Sequence, residues 1–288
     1  MLARLGVLAV ALFAVTCGTI LHGQQEAPTI PTATQWTLDA AGPTQRGAIK
    51  SVFLMICPKT SKKGTGFLLT DGFVLTNAHV VEGCTAEQMV AYTPVGSTAH
   101  FSKMATDDVV DLALLRPTQP LSGGLELGTD QDPKIGKQVS TWGYPLTFNG
   151  PSPLLSVGYI AGFNQEPTRT DTRPVKHVVV NGAFNPGNSG GPLFLADDNK
   201  VIGVVVAKFH LYPANVKSAI DALANMKSGV MYTANDGQGH TTMVTEGQVV
   251  GMILDQYYEK TQVMIGEAIS LSEVKTFLAS KQRELAVH

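Results

Sequence analysis

The chain has 288 residues, a hydrophobic fraction of 44% and a formal net charge of −2 at pH 7. Ordinary hydrophobicity at almost zero net charge excludes a mostly disordered chain, and the lack of a basic excess argues against nucleic acid as a primary partner. Charged residues make up only 15%, while 29 glycines and 16 prolines supply many turns. Together these values favour a β protein rich in turns.

The first residues are typical of a secretory leader. Arg4 precedes an apolar stretch over residues 5–20, and polar residues resume at Gln24. We expect a signal peptide over 1–23, cleaved near Gly23, and export to a periplasmic or extracellular location without stable membrane insertion. An uncleaved anchor is the alternative, because the stretch is at the short end of what spans a bilayer.

Removal of that leader leaves two cysteines, Cys57 and Cys84. An oxidising compartment favours their pairing in a disulfide. Two buried free thiols are the alternative, because a free cysteine packs as a small hydrophobic side chain. The sequence has no Cys-x-x-Cys or His-x-x-x-His pair that would indicate zinc, so we expect no metal and no other cofactor.

Residues 24–46 are rich in Thr, Pro, Gln and Ala and predict an extended or poorly ordered N-terminal arm. Short apolar runs broken by turn residues begin at Ile49, and the Asp71-Gly72 pair between two of them predicts a hairpin. Further strands are predicted near residues 111–115, 137–143, 154–163, 176–181, 191–195 and 200–209. This regular spacing predicts barrels or a sandwich rather than a parallel α/β sheet.

The end of the chain has a different pattern. Apolar residues at helical spacing predict helices over 214–227 and 246–259, with a hairpin around residues 235–237 between them. Ser270 and Glu273 fit a capping box, which predicts the start of a last helix.

The segment FNPGNSGGPLF at 184–194 carries the strongest chemical signal. Ser189 lies among Gly187, Gly190 and Gly191, whose freedom at positive φ permits a tight turn and a close approach of a substrate carbonyl. Acyl transfer needs a nucleophilic hydroxyl beside backbone N–H groups directed at the developing oxyanion, and one such loop can supply both. An ordinary glycine-rich turn with an incidental serine is the alternative.

Two further segments supply the residue types that activate a serine. His79 follows the apolar strand of GTGFLLTDGFVLTNAHVV at 64–81, and a neutral imidazole there could serve as a general base. Asp111 precedes the apolar run LALL, where a carboxylate could orient that histidine and stabilise its cation. Asp107 and Asp108 are rival carboxylates, and a structural role is the alternative for each of these side chains.

The order His79, Asp111, Ser189 is that of the chymotrypsin-type triad. With it, the chain resembles a trypsin-like serine protease, and most of all the protease domain of the HtrA/DegP family. The matching segments are GTGFLLTDGFVLTNAHVVEG, DDVVDLALL, STWGYPL, SVGYIAGF, NPGNSGGPL, VIGVVV and GEAISLSEVKTFL. They cover about 47–209 and 263–280; the first and fifth are specific motifs, and the others are supporting.

The resemblance implies an all-β domain over 47–281, built as two antiparallel six-stranded barrels with the active site in the cleft between them. Ser189 would be the nucleophile, His79 the general base and then acid, and Asp111 the residue that orients His79. The N–H groups of Gly187 and Ser189 would form the oxyanion hole.

The resemblance also assigns residues to the S1 pocket, which binds the side chain before the scissile bond. Ala183, six residues before the serine, would lie at the base of this pocket, and Val206, Ala207 and Lys208 would lie along its wall. Without a carboxylate at the base, we expect a small or medium aliphatic P1 residue and no preference for Arg or Lys.

The sequence departs from the family pattern in two respects. We predict only a short tail, 282–288, after the last helix, and therefore expect none of the PDZ domains usual in HtrA proteins. A mixed α/β insertion at about 211–262 separates two strands that a short loop joins in the family. The insertion contains four methionines: Met226, Met231, Met243 and Met252. We expect them to pack the insertion onto the barrel; a wall or gate of the substrate cleft is the alternative.

These features together predict an exported serine endopeptidase that hydrolyses polypeptides through an acyl-enzyme. A binding or chaperone-like protein on a protease scaffold is the alternative from another class. An esterase could use the same chemistry, although no feature of the sequence favours one.

Overall fold

The computed structural model describes residues 33–129, 133–146, 148–166, 173–206, 214–235, 241–260 and 264–286. The predicted signal peptide and the first part of the predicted arm lie outside these residues. Ala207 and Lys208, which were predicted for the wall of the S1 pocket, also lie outside them.

The described residues form six helices and fourteen strands. The helices are α1 (Ala33–Ala40), α2 (Pro43–Lys50), α3 (Ala78–Val81), α4 (Ala214–Ala224), α5 (Glu246–Lys260) and α6 (Leu271–Ala286). The strands are β1 (Val52–Cys57), β2 (Lys62–Leu68), β3 (Val74–Thr76), β4 (Val90–Tyr92), β5 (Thr98–Asp107), β6 (Leu112–Pro117), β7 (Gln138–Gly143), β8 (Leu154–Glu166), β9 (Val175–Val180), β10 (Pro192–Leu195), β11 (Val201–Val206), β12 (Met231–Asn235), β13 (Thr241–Thr245) and β14 (Gly266–Ser270).

Twelve of these strands close into two barrels. The first has the hydrogen-bonded order β1-β2-β3-β6-β5-β4, and the second has the order β10-β11-β14-β9-β8-β7. Every neighbouring pair that the registers describe is antiparallel. The predicted all-β fold of two six-stranded antiparallel barrels is confirmed. Because the last strand, β14, inserts between β9 and β11, the second barrel closes only near the end of the chain.

The predicted hairpin at Asp71-Gly72 joins β2 to β3. Gly72 has φ +89°, a conformation that favours glycine, and its N–H donates to the carbonyl oxygen of Leu69 at 2.9 Å. The Asp71 carboxylate accepts from the N–H of Phe73 at 3.2 Å. The turn therefore forms through the side-chain and backbone chemistry that this pair provides.

Three clusters of buried side chains fill the molecule, one inside each barrel and one between the barrels and α6. The run VIGVVV of β11 is buried at every position, which its place in the fold explains. Val205 faces the interior of the second barrel, while Val204 and Val206 face the cluster between the barrels. That intervening cluster holds the two barrels together beneath their shared cleft.

The expectation of an extended arm over 24–46 is wrong for the part that the structure describes, which is helical. Pro43 occupies the first turn of α2, where its fixed φ suits a helix start. Leu38 and Ile49 are buried in the cluster between the barrels. Arg46 ties the two helices together by donating to the carbonyl oxygen of Leu38 at 2.9 Å. Burial of Leu38 and Ile49 thus orders a segment whose composition alone indicates a loose chain.

The predicted last helix begins where expected but extends further. α6 runs to Ala286, so the predicted tail at 282–288 is helical over most of its length. Leu285 explains this extension, because its side chain is buried in the cluster between the barrels. The Glu273 carboxylate does not act as a capping-box partner; it accepts from Arg173 at 2.9 Å and from the N–H of Lys176 at 3.2 Å.

The insertion contains the predicted helices, as α4 and α5, with the hairpin β12–β13 between them. The two helices pack closely at Gly251, where a methyl group would lie 2.4 Å from the backbone nitrogen of Ala224. The expected burial of the methionines is wrong: Met231, Met243 and Met252 expose 53%, 56% and 57% of their surface. Across the described residues, we find no helix with the length and apolar character needed to cross a membrane.

Candidate active site

His79 lies on the single-turn helix α3, directly after β3. Its ring nitrogen Nδ1 is 2.7 Å from Oδ2 of Asp111, and its backbone N–H donates to Oδ1 of the same carboxylate at 2.9 Å. One carboxylate therefore fixes both the ring and the main chain of this histidine. The His79 side chain is 17% exposed, whereas the Asp111 side chain is fully buried. The imidazole is thus accessible to a ligand, while the Asp111 carboxylate is shielded from solvent.

Asp111 is held in place by its own backbone. Its φ of +61° lies in the left-handed region, which aspartate tolerates better than most residues. The Asp111 carbonyl oxygen accepts from Nδ2 of Asn77 at 2.9 Å and from the N–H of Ala78 at 3.2 Å. These bonds join the turn before β6 to the start of α3. The sequence therefore brings His79 and Asp111 together through two connected backbone segments.

Ser189 lies in the loop before β10 and is 5% exposed. Its carbonyl oxygen accepts from the N–H of Thr65 on β2 at 2.8 Å. Gly64 marks where this loop meets the helix that carries His79: a methyl group there would lie 2.6 Å from Cγ2 of Val80 and 3.1 Å from the Ser189 carbonyl oxygen. The serine loop and the histidine helix are therefore neighbours across one glycine.

The glycines around the serine are required by close contacts. Gly187 has φ +99°, and a methyl group on it would lie 2.2 Å from the carbonyl oxygen of Tyr144. Gly190 has φ +85°, and a methyl group on it would lie 2.1 Å from the carbonyl oxygen of Thr65. Both the conformation and the space exclude any larger residue at these two positions.

Backbone hydrogen bonds hold the loop in this shape. Asn188 donates to the carbonyl oxygen of Asn185 at 2.9 Å, and Gly190 donates to that of Val205 at 2.8 Å. The N–H of Gly187 donates to no backbone oxygen of the described residues. That N–H is therefore available for the developing negative charge of an oxyanion.

Thr65 is a site residue that we did not predict. Its hydroxyl donates to the carbonyl oxygen of Gly187 at 2.6 Å and accepts from the N–H of Tyr144 at 3.0 Å. Together with its N–H bond to Ser189, these contacts tie the first barrel to the serine loop. A threonine between two glycines in GTGF is the only sequence signal for this role, and that motif was used to locate His79.

The residues predicted for the S1 pocket that lie within the described chain are apolar. Ala183 is partly buried and Val206 is 4% exposed. The neighbouring Phe184 is also buried, and its ring packs on Gly266 so closely that a methyl group there would lie 2.3 Å from Cδ2 of Phe184. An aromatic ring therefore takes up space beside the predicted pocket base.

Asp107, one of the two rival carboxylates, and the buried His177 have other roles. The Asp107 carboxylate accepts from the N–H groups of Val109 and Val110 at 2.9 Å and 3.2 Å, so it caps a turn. His177 is only 2% exposed, and burial lowers its pKa, so its imidazole is neutral and out of reach of a substrate. Within the described ranges, no three His, Cys, Asp or Glu side chains are grouped as a metal site would need.

Cys57 and Cys84 form a disulfide with Cα atoms 5.8 Å apart. Cys57 ends β1, and Cys84 lies three residues after α3. The bond therefore fixes the segment that follows the histidine helix to the first barrel.

The arrangement has the parts that acyl transfer requires. A buried carboxylate orients a partly exposed imidazole, and a serine lies on the adjoining loop. Within the described ranges, a glycine N–H near that serine has no competing backbone acceptor. Such a set can take a proton from a hydroxyl and stabilise a tetrahedral oxyanion.

Residues 64–204 match the family model described as a trypsin-like peptidase domain. The "Probable periplasmic serine endoprotease DegP-like" of Halomonas elongata is 35% identical over 142 residues, which are 49% of this chain and 28% of that protein. The magnetosome formation protease MamE of Paramagnetospirillum magneticum is 27% identical over 197 residues, which are 67% of this chain and 26% of that protein. The chain therefore spans about a quarter of the length of these relatives.

Solved structures share the fold at low sequence identity. The Rv3671c protease in its inactive form has a TM-score of 0.54 at 19% identity, over 87% of this chain and 98% of that one. The HtrA-type protease AlgW, solved with a tripeptide, has a TM-score of 0.50 at 20% identity, over 76% of this chain and 64% of that one. At these identities the likeness shows the fold alone. Residues 64–204 therefore form a domain of the trypsin-like peptidase family, and DegP-like serine proteases are among the relatives of the chain.

Proposed function

We propose that the chain is a serine endopeptidase with Ser189 as nucleophile, His79 as general base and Asp111 as the residue that orients His79. The observation that carries this proposal is the double contact of one buried carboxylate with the ring and the backbone of His79, beside the glycine-rich serine loop. A trypsin-like peptidase domain is the setting in which this set of side chains hydrolyses peptide bonds.

In the proposed reaction, Oγ of Ser189 attacks the carbonyl carbon of the scissile peptide bond and gives its proton to Nε2 of His79. Asp111 holds Nδ1 of His79 and stabilises the imidazolium that forms. The N–H groups of Gly187 and Ser189 stabilise the tetrahedral oxyanion. The C–N bond then breaks, His79 protonates the leaving amine, and water hydrolyses the acyl-enzyme by the same steps in reverse.

We further propose a small or medium aliphatic residue at P1. Ala183, Val206 and Phe184 are apolar, and Phe184 takes up part of the space near the pocket base. Peptides that differ only at P1 are expected to be cleaved fastest with Ala or Val. Preferred cleavage after Arg, Lys or Glu would overturn this preference.

Export is the proposed location, because the leader pattern at 1–23 agrees with a relative that is named periplasmic. The disulfide between Cys57 and Cys84 suits an oxidising compartment. Fractionation of cells that produce a C-terminally tagged chain is expected to give a product shortened by the leader outside the cytoplasm. A full-length cytoplasmic product would contradict export.

Casein hydrolysis by the chain from Gln24 onward, beside Ser189→Ala and His79→Ala, tests the activity. We expect turnover in the wild type and a loss of several orders of magnitude in both variants. A fluorophosphonate is expected to label the wild type and not Ser189→Ala. A folded wild type with neither turnover nor labelling would favour the binding-protein alternative, while labelling without protein or peptide hydrolysis would favour an esterase.

A further inference from the structure

A cleft of about 570 Å³ opens beside His79, and the predicted S1 residues Ala183 and Val206 are not in its lining. It is lined by Ser61, Lys62, Lys63, His79, Val80, Glu82 and Leu146. Two of its walls come from the start of β2 and from α3 with the residue that follows it, and Leu146 closes it from the second barrel. The cleft therefore extends from the general base along the junction of the two barrels.

The proposed mechanism determines which part of a substrate would lie here. His79 gives its proton to the amine that leaves when the peptide bond breaks. The residues after the scissile bond, P1′ and P2′, must therefore pass over His79, while the P1 side chain enters the pocket near Ala183 and Val206. The cleft beside His79 is the space available for P1′ and P2′.

Lys63 faces the cleft because side chains along β2 point alternately to the two sides of the strand. In a strand, residues two apart point to the same side. Thr65 uses its side chain to contact Gly187 and Tyr144, and Phe67 is buried between the barrels. Lys63 precedes them on the same face and lies at the exposed end of the row. Lys63 lines the cleft and lies two residues before Thr65, which bonds the loop that would hold the oxyanion.

The charges that line the cleft differ in whether they are paired. The neighbouring Lys62 forms an ion pair with Glu82, so these two charges cancel locally. Lys63 has no ion-pair partner within the described part of the chain. Leu146, which is 49% exposed, offers an apolar surface opposite these charges. Among the described residues that line it, the cleft thus combines an ammonium group that has no ion-pair partner with an apolar wall.

We propose that Lys63 gives this peptidase a preference for an acidic side chain, Asp or Glu, at P1′ or P2′. The proposal rests on the proposed function and names the substrate class of the same site. A carboxylate at that position would pair with the Lys63 ammonium, while its aliphatic stem contacts Leu146. A basic side chain there would meet an unpaired like charge.

The expected size of the preference follows from the exposure of Lys63. A partly solvated ion pair changes kcat/KM by about twofold to fivefold, and the effect weakens as salt shortens the screening length. The preference for Glu over Gln is therefore expected at low ionic strength and reduced at about 1 M salt.

The test uses internally quenched peptides that share the residues before the scissile bond and carry Glu, Gln or Lys at P1′ or at P2′. For the full mature chain we expect kcat/KM to fall in the order Glu, Gln, Lys at one of the two positions. Lys63→Gln is expected to abolish the difference between Glu and Lys, and Lys63→Glu to reverse it. Lys59→Glu makes the same charge change in the same hairpin outside the cleft, and it is expected to keep the wild-type order.

The outcomes separate this proposal from the proposed function. Equal rates for the three peptides, or an order that Lys63→Glu leaves unchanged, would overturn the role of Lys63 while peptide cleavage itself stands. Reversal by Lys59→Glu as strong as by Lys63→Glu would also overturn it, because the general charge of the surface would then suffice. A wild type that neither cleaves any peptide nor reacts with a fluorophosphonate would overturn the proposed function and this proposal with it.

Discussion

The Asp111 carboxylate makes two different bonds, and the two can be separated by substitution. Oδ1 accepts from the backbone N–H of His79 and stabilises the start of α3, whereas Oδ2 faces the ring nitrogen. Only the second bond bears on proton transfer. An amide in place of the carboxylate keeps the first acceptor and replaces the second oxygen with an N–H donor.

We expect Asp111→Asn to fold normally and to lose about 10⁴-fold in kcat, because an amide N–H facing Nδ1 selects the tautomer whose Nε2 already carries a proton. Asparagine tolerates the positive φ of this position, so backbone strain is not introduced. Peptide kinetics and thermal unfolding of the same preparation check both parts.

Asp107→Asn is the matched control, because the Asp107 carboxylate caps a turn and does not contact His79. It is expected to keep its activity. A loss of less than tenfold in Asp111→Asn would mean that Asp111 does not set the state of His79.

The triad candidates could be predicted from sequence because each carries its own local signal. Ser189 lies in a glycine-rich loop, while His79 and Asp111 adjoin buried strands. Thr65 and Lys63 could not be found in this way. The role of Thr65 comes from its bond to Gly187, 122 positions away, and the proposed role of Lys63 comes from its place in the cleft beside His79. A threonine or lysine in a strand has no distinctive pattern.

At the scale of elements, runs of apolar residues predicted the strands whose central residues are buried. β4 and β5 were not predicted, because β4 has only three residues and β5 alternates buried Ala99 and Phe101 with polar positions in a mixed sequence. The helices α1 and α2 were missed because their stability comes from packing: Leu38 and Ile49 are covered by partners distant in sequence. Helices of eight residues gain little from propensity alone.

The helix α1 is attached to the second barrel by one buried hydrogen bond. The Ser152 hydroxyl donates to the Thr34 hydroxyl at 2.9 Å, and the two residues are 4% and 5% exposed. Ser152 belongs to the connection from β7 to β8, whose first part contains Tyr144 beside Gly187. This bond therefore ties the N-terminal helix to the same connection that borders the serine loop.

Thr34→Val is expected to lower the free energy of unfolding by about 1–3 kcal/mol, because the buried Ser152 hydroxyl loses its acceptor. Ser152→Ala added to it is expected to recover part of this loss, since the unpaired group is then removed. Urea unfolding of the two single variants and the double variant measures the coupling between the residues.

Thr37→Val is the control for these variants of Thr34 and Ser152. The Thr37 hydroxyl donates to the carbonyl oxygen of Ala33 on the exposed side of the same helix, at 2.9 Å. Its loss is expected to cost less than about 0.5 kcal/mol, as for most surface changes. Purely additive effects of Thr34→Val and Ser152→Ala would show that the bond contributes nothing.

For the whole molecule, the buried Glu267 and the partly buried Glu273 give the stability opposite dependences on pH. Burial works to raise the pKa of Glu273, but hydrogen bonds from Arg173 and from the N–H of Lys176 outweigh it, so this pKa is lowered. The stability from Glu273 is therefore present above the ordinary carboxyl pKa and is lost as pH falls through the folded value. The pKa of Glu267 is raised, chiefly by burial and in part by the nearby Glu166, against a hydrogen bond from Asn164.

The contribution of Glu267 to stability changes with pH in the direction opposite to that of Glu273. Its folded-state pKa lies above the unfolded value of 4.5, so the folded state holds the proton more tightly. Protonated Glu267 therefore contributes to the free energy of unfolding at low pH. This contribution is lost as pH rises from 4.5 through the folded-state pKa. At neutral pH, wild-type folding carries the cost of a buried charge on β14, next to Val206 on β11.

Glu267→Gln removes that cost while it keeps the acceptor oxygen that bonds Nδ2 of Asn164 at 3.3 Å in the wild type. We expect the variant to match the wild type in urea unfolding at about pH 4 and to be more stable at about pH 8, with a gap that widens between them. Glu126→Gln is the control, because Glu126 is 67% exposed and pairs with Lys200 at the surface, where the loss of an ion pair has little effect. A constant difference between Glu267→Gln and the wild type at all pH values would mean that Glu267 does not titrate differently on folding. A deficit that grows with pH would mean that the Glu267 charge is stabilised in the fold by a cation that outweighs its burial.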